Sequence, residues 1–204
     1  MNFVIIDTSR VLSYDLMKFT KTACLIVLLL SACQQNGTRL SHKYESAFGK
    51  TLVHEGGYCN DEDDHGGETK YGVCQRSNQC VNIKELTIEK AKLMFYAEYW
   101  VDMNLEDVRD PDIAAKIFDI CVNFGKTQGI KIVTRALRAV GVLPHSLENE
   151  RDWNLVIYFV NMARSKHGML AALRSEAAAV YRMIVHKNET QQKFLNGWLN
   201  RAYR

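Results

Sequence analysis

The chain has 204 residues, 47% of them apolar and only two of them proline, with no repeat or low-complexity tract. That length buries one good core, or one core and a small satellite, and the composition excludes long disordered linkers. The net charge of +3 is unevenly spread: residues 34–125 carry ten Lys and Arg against sixteen Asp and Glu, and residues 126–204 carry thirteen against five, so the basic half could face a polyanion or simply present solvated helix faces.

The chain opens with a targeting segment. After Met17, itself a candidate translation start, come Lys18 and Lys21, then an apolar stretch from Ala23 to Cys33. About eleven apolar or small residues are too few to span a bilayer as a helix, and the pattern is that of a secretory signal over 1–33. Its end, Leu30-Ser31-Ala32-Cys33, resembles the lipobox of bacterial lipoproteins. The resemblance implies that Cys33 is lipidated and becomes the new N-terminus. Gln34 at the next position implies sorting to the outer membrane. With Cys24 removed and Cys33 lipidated, Cys59, Cys74, Cys80 and Cys121 remain, and an even number in an exported chain predicts two disulfides with the pairing open. No Cys-x-x-Cys spacing supports zinc.

Ser41 is placed to cap a helix over 42–55, whose apolar positions Tyr44, Ala47, Phe48 and Leu52 share one face. At about 100° per residue, Glu55 falls on that same face, and Gly56-Gly57 stop the helix. A carboxyl on an apolar face has its charged form disfavoured, which keeps it protonated near neutrality as a general acid requires.

Residues 54–72 hold six carboxylates and five of the chain's twelve glycines, too polar and too glycine-rich for a helix. They predict turns with a short β-hairpin. The alternating aspartates and terminal Glu of a calcium loop are absent. Further on, Thr87 opens a helix running to Tyr99-Trp100, and Asp112 after Pro111 is read as the cap of the next, ending at Asn123-Phe124-Gly125. Beyond Gly125 the chain reads as helical over 127–140, 152–166, 169–186 and 190–203, with short antiparallel connections. No βαβ pattern, Gly-x-Gly-x-x-Gly or Gly-x-Ser-x-Gly occurs, which argues against dinucleotide, P-loop and serine hydrolase chemistry.

Five stretches in order carry a family resemblance. They are His54-Glu55-Gly56-Gly57-Tyr58, Asp64-His65-Gly66-Gly67-Glu68-Thr69-Lys70-Tyr71-Gly72-Val73, Ala91 to Trp100, Phe118 to Gly125 and Phe194 to Arg201. Together they resemble glycoside hydrolase family 108, the bacterial and phage N-acetylmuramidases, and the similarity covers essentially everything after residue 42. The resemblance implies a mainly α, lysozyme-like α+β fold. A helical catalytic domain with a small hairpin region is expected over 42–126, and a helical domain akin to a peptidoglycan-binding domain over 127–204. It also implies cleavage of the β-1,4 bond between N-acetylmuramic acid and N-acetylglucosamine, with Glu55 as the acid. The chain departs from the family at 132–137 and 143–148, where a Gln in the helix and an Asp-Gly-x-x-Gly-x-x-Thr-like turn are missing.

Glycoside hydrolysis needs an acid for the leaving oxygen and a second group at the sugar carbon; the carboxyl separation decides between retention and inversion. Asp64 is the expected second carboxylate, with Asp61 and Asp63 as substitutes, and Thr69 is expected to help hold the water. Turn-stabilising roles for Asp64 and Thr69 stay open. Tyr58, Tyr71 and Trp100 are candidate sugar-stacking residues, as is Trp198, with core packing as the alternative. Asp119 and Asn123 share a helical face and either line the groove or serve the fold. No cofactor, metal or nucleic acid is expected. The expected partners are peptidoglycan and, through Cys33, the membrane, with the protein a monomer on the periplasmic side. The alternative reading is a catalytically weak or inactive wall-binding lipoprotein.

Overall fold

The structure, a computed structural model, describes residues 40–52, 68–75, 78, 81–147 and 150–204. The described part is mainly α, with one two-stranded sheet. Packing divides the chain into two units, Met1–Asp102 and Met103–Arg204. This division falls ahead of position 126 because the helix before it packs on the helices that follow. None of the described helices is long and apolar enough to cross a membrane.

In the first unit, helix α1 spans His42–Leu52 and is capped as expected, Tyr44 N donating to Ser41 Oγ at 3.1 Å. The buried face is Tyr44, Ala47, Phe48 and Thr51, the spacing of an amphipathic helix. Strands β1 (Thr69–Lys70) and β2 (Val73–Cys74) form an antiparallel hairpin. Helix α2, Ile88–Phe95, begins at its cap Thr87, whose hydroxyl accepts from Lys90 N at 3.3 Å. It continues into a π-helical turn, Tyr96–Val101. Tyr44 is the hub: its ring lies 5.9 Å from Phe48, 4.9 Å from Tyr96 and 5.2 Å from Trp100. Its hydroxyl donates to the Lys92 carbonyl at 2.5 Å, satisfying a group that would otherwise be buried at a cost. Lys92 returns to α1 through Glu45 at 2.8 Å.

The second unit holds a short 3-10 turn, Leu105–Asp107, then α3 (Pro111–Phe124), α4 (Lys126–Ala139), α5 (Trp153–Met162), α6 (Lys166–Lys187), a 3-10 stretch Glu189–Phe194 and α7 (Leu195–Tyr203). Helix α6 packs against α3, α4 and α7, and α4 against α3 and α5. Ile117, Phe118, Cys121, Val133, Leu137, Val156, Met169 and Leu173 fill the core between them. Gly125, with φ at 74°, is the single joint between α3 and α4.

Three boundaries differ from the expectations. The cap of α3 is Asp110, whose Oδ1 accepts from Asp112 N and Ile113 N at 2.9 and 3.1 Å. Pro111 takes the first helical position, where its missing N–H costs nothing, so Asp112 lies inside the first turn. The break expected at Gly168 lies earlier: α5 ends at Met162 and Ser165 caps α6, accepting from Gly168 N at 3.0 Å. The segment expected as one helix over 190–203 is a 3-10 stretch followed by α7.

The expectation of two disulfides fails at Cys121. This residue is a free thiol, fully buried and the sole cysteine of residues 103–204. Burial pushes its pKa well above the usual thiol range. It sits where α3 meets α4, against Gly129. Cys74 is buried on β2 and makes no disulfide with Cys121, while Cys59 and Cys80 lie outside the described residues.

Candidate active site

The described part of the candidate site is the hairpin. Thr69 pairs with Cys74 and Lys70 with Val73, and Tyr71-Gly72 form the two-residue connection, with φ of 51° and 78°. Positive φ at both central positions is the signature of a type I′ turn, whose twist matches that of the strands. Gly72 takes this conformation freely. Tyr71 is a bulky residue in the left-handed region, an arrangement costing about 1–2 kcal/mol.

Around the turn the hairpin is tied down. Gln75 N donates to the Glu68 carbonyl at 2.8 Å, one step beyond the paired strands. Lys70 Nζ donates to the Lys84 carbonyl at 2.9 Å, and Lys84 reaches back to Glu68 at 3.3 Å. The segment carrying Lys84 is itself anchored by the buried Ile83 and Leu86. The Lys70 ammonium lies 5.5 Å from the centre of the Tyr71 ring, a cation–π contact worth about 0.5–1 kcal/mol at an exposed site.

Of the expected site residues, Thr69 is buried on β1, only 5% exposed, and Tyr71 is half-buried two positions on. Trp100 is corrected: at 1% exposure it is packed edge-on to Tyr44 and has no ring face to offer a sugar. Its apolar bulk completes the core of the first unit. Glu55, Tyr58, Asp64, the substitutes Asp61 and Asp63, and Cys33 lie outside the described residues. Among the described residues no group of three or more His, Cys, Asp or Glu could hold a metal ion.

Two of the family-like stretches meet in the second unit. Arg201 on α7 donates from Nε to Asp119 Oδ1 on α3 at 3.1 Å, and its Nη2 lies in ion-pair range of the same oxygen at 3.0 Å. Lys116, on the same helix as Asp119, spans to Asp119 Oδ2 at 3.4 Å and to the Arg201 carbonyl at 3.0 Å. Burial lowers the Lys116 pKa from its ordinary value, opposed by the Asp119 charge. The Asn123 amide donates to the Tyr181 hydroxyl, and the Tyr181 ring lies 4.7 Å from Phe124 and 5.2 Å from Trp198. Trp198 stacks on Tyr181 at 5.2 Å and on Phe194 at 5.7 Å. Asp119, Asn123 and Trp198 therefore hold α7 onto α3 and α6. Lys116 and Tyr181 escaped the sequence reading. The one clue to Lys116 was a lysine three residues before an aspartate on an otherwise apolar helix.

Residues 48–125 match the family described as Glycosyl hydrolase 108. No curated protein matches the chain. Among solved structures, that of Brucella abortus SagA superimposes with a TM-score of 0.61 at 20% sequence identity, covering 78% of this chain and 88% of that one. At that identity the likeness speaks for the fold, which is mainly α and lysozyme-like. Over residues 48–125 the chain is thus similar to the Glycosyl hydrolase 108 family.

Proposed function

We propose that the chain hydrolyses peptidoglycan at the β-1,4 bond between N-acetylmuramic acid and N-acetylglucosamine, with Glu55 as the general acid. The observation that carries this reading is the family match over 48–125, which contains Glu55, Asp64 and Thr69. The phase of α1 supports it: Tyr44, Ala47, Phe48 and Thr51 are its buried positions, and the same 3.6-residue repeat, continued along the sequence, reaches Glu55. A carboxyl set among apolar side chains has its charged form disfavoured, which suits it to give a proton to the leaving oxygen. Asp64 then stabilises or activates the attack at the sugar carbon, with Thr69 holding the water. Thr69 is suited to this because its strand is fixed by the hairpin and by Lys84. Lipidation at Cys33 would hold the protein on the outer membrane, where the wall is within reach.

Glu55→Gln keeps the shape of the side chain and removes the proton. It should fold as the wild type does and lose about 10²–10⁴-fold in the rate of clearing purified peptidoglycan. Clearing at the wild-type rate by this variant overturns the assignment. Mass analysis of the reducing ends released by the wild type should show N-acetylmuramic acid. A wild type that sediments with peptidoglycan but never clears it would favour the wall-binding alternative.

A further inference from the structure

We propose that Tyr71 is a glycan-contacting residue, held at the tip of the hairpin against the preference of its own backbone so that its ring and hydroxyl meet a sugar unit of the substrate strand. This rests on the reading above, and it concerns the recognition of the glycan rather than the cleavage step. Three observations carry it.

The first is the backbone. Tyr71 occupies the first central position of a type I′ turn with φ at 51°, a position where Asn, Asp or Gly is at ease and a large side chain is strained. Strain of this kind persists where something other than the turn requires the residue. The second is that the side chain is not sealed into the core: Tyr71 is half-buried, and its ring lies 5.5 Å from the Lys70 ammonium. Tyr44 and Trp100 show what an aromatic ring kept for the core looks like here: 0% and 1% exposed, each in an aromatic cluster. The third is preorganisation. Lys70 is itself fixed on the Lys84 carbonyl at 2.9 Å, so the cation that covers one face of the ring is anchored. The ring orientation is therefore set before any ligand arrives, which reduces the ordering cost of binding. The part of the side chain left exposed would meet the C–H face of an N-acetylated aminosugar, with the hydroxyl bonding its polar edge.

The position, two residues after the buried Thr69 and inside the matched family segment, puts this contact next to the chemistry proposed for that strand. A sugar stacked on Tyr71 would be registered relative to Thr69 by a two-residue turn that cannot slide.

The test uses the full chain with Tyr71→Asn and Tyr71→Phe. Tyr71→Asn installs the Asn-Gly pair favoured in I′ turns, so it should raise the melting temperature by about 2–4 °C, while KM on peptide-free glycan strands rises several-fold and kcat stays within about two-fold. Tyr71→Phe keeps the ring and should lie between the two in KM with an unchanged melting temperature. Binding of chitopentaose by calorimetry in a Glu55→Gln background should weaken with Tyr71→Asn by the same factor as KM rises. Unchanged KM and chitopentaose affinity in Tyr71→Asn overturn the proposal. So does a fall in melting temperature, because it would show that the ring serves the fold. If the wild type binds chitopentaose in a Tyr71-dependent way without hydrolysing peptidoglycan, the glycan contact stands and only the catalytic reading falls. If it neither binds nor hydrolyses, both are overturned.

Discussion

At Gly129 the backbone of α4 runs so close to α3 that an added Cβ would lie 2.3 Å from Cys121 Sγ and 3.3 Å from its Cα. Glycine is required there by contact with the neighbouring helix, since only the absence of a side chain allows this approach. Gly129→Ala should destabilise the protein by about 1–3 kcal/mol through overpacking, read as a lower midpoint in urea. Cys121→Ala in the same molecule removes the 2.3 Å conflict and should recover part of that loss, the coupling expected of residues in contact. Additive effects of the two changes would show that the helices relax apart instead. From the sequence alone Cys121 was counted with the exported cysteines, and nothing in its spacing could reveal that its partner is a glycine eight residues on. Tyr71 is the converse case, where the residue type was legible as a candidate but the strain that singles it out exists only in the folded turn.

At the scale of elements, the fastening of α7 rests on one carboxylate and two cations. Lys116 is 7% exposed, Asp119 16% and Arg201 11% at their side chains. Asp119→Ala takes away the carboxylate that both cations share, and breaking such a buried network costs about 3–5 kcal/mol. Lys116→Met takes away a charge that burial already disfavours and leaves Asp119 with Arg201, so its effect should be clearly smaller. Urea unfolding of the two variants checks the order, and equal losses would contradict the arrangement. The elements themselves were largely legible: the cap Ser41, the helix start at Thr87 and the amphipathic spacing of α1 and α3 follow from local chemistry. The errors arose where two local rules competed. Pro111 admits a cap on either side in sequence, and Asp110 wins because the cap must precede the first helical residue. Gly168 looks like a helix stop, yet Ser165 offers a stronger start three residues before it. The π-helical turn after Phe95 has no sequence signature that would separate it from continued α-helix.

For the molecule as a whole, pH acts on stability through Lys166 at the head of α6, which reaches Asp110 at 3.2 Å and Asp112 at 2.6 Å. Hydrogen bonds to Asp112 and then Asp110 raise its pKa above the ordinary lysine value of 10.5. A folded-state value above the unfolded one means that the contribution is complete below 10.5 and is lost only as pH rises past the folded value. The pair is solvent-exposed, so the effect is small. Lys166→Ala should lower the melting temperature equally at pH 7 and pH 9, and the gap should close only in stronger alkali. A gap that closes by pH 8 would assign the effect to another group. At this scale the helical architecture and the family likeness over residues 48–125 were readable from the ordered stretches. The ties between α3, α6 and α7 were not, because Lys116 and Arg201 lie far apart in the sequence and become partners only through the fold.

The same ties impose an order of events on the chain. In synthesis with the amino end leading, α3 is complete long before α7, whereas α6 precedes it by only a short 3-10 stretch. Until residues 195–203 arrive, Lys116 and Asp119 lack Arg201, and the Tyr181 ring lacks the cover of Trp198. The seam where α7 meets α3 and α6 is therefore the last part of the second unit that can be completed, because its contacts are distant in sequence.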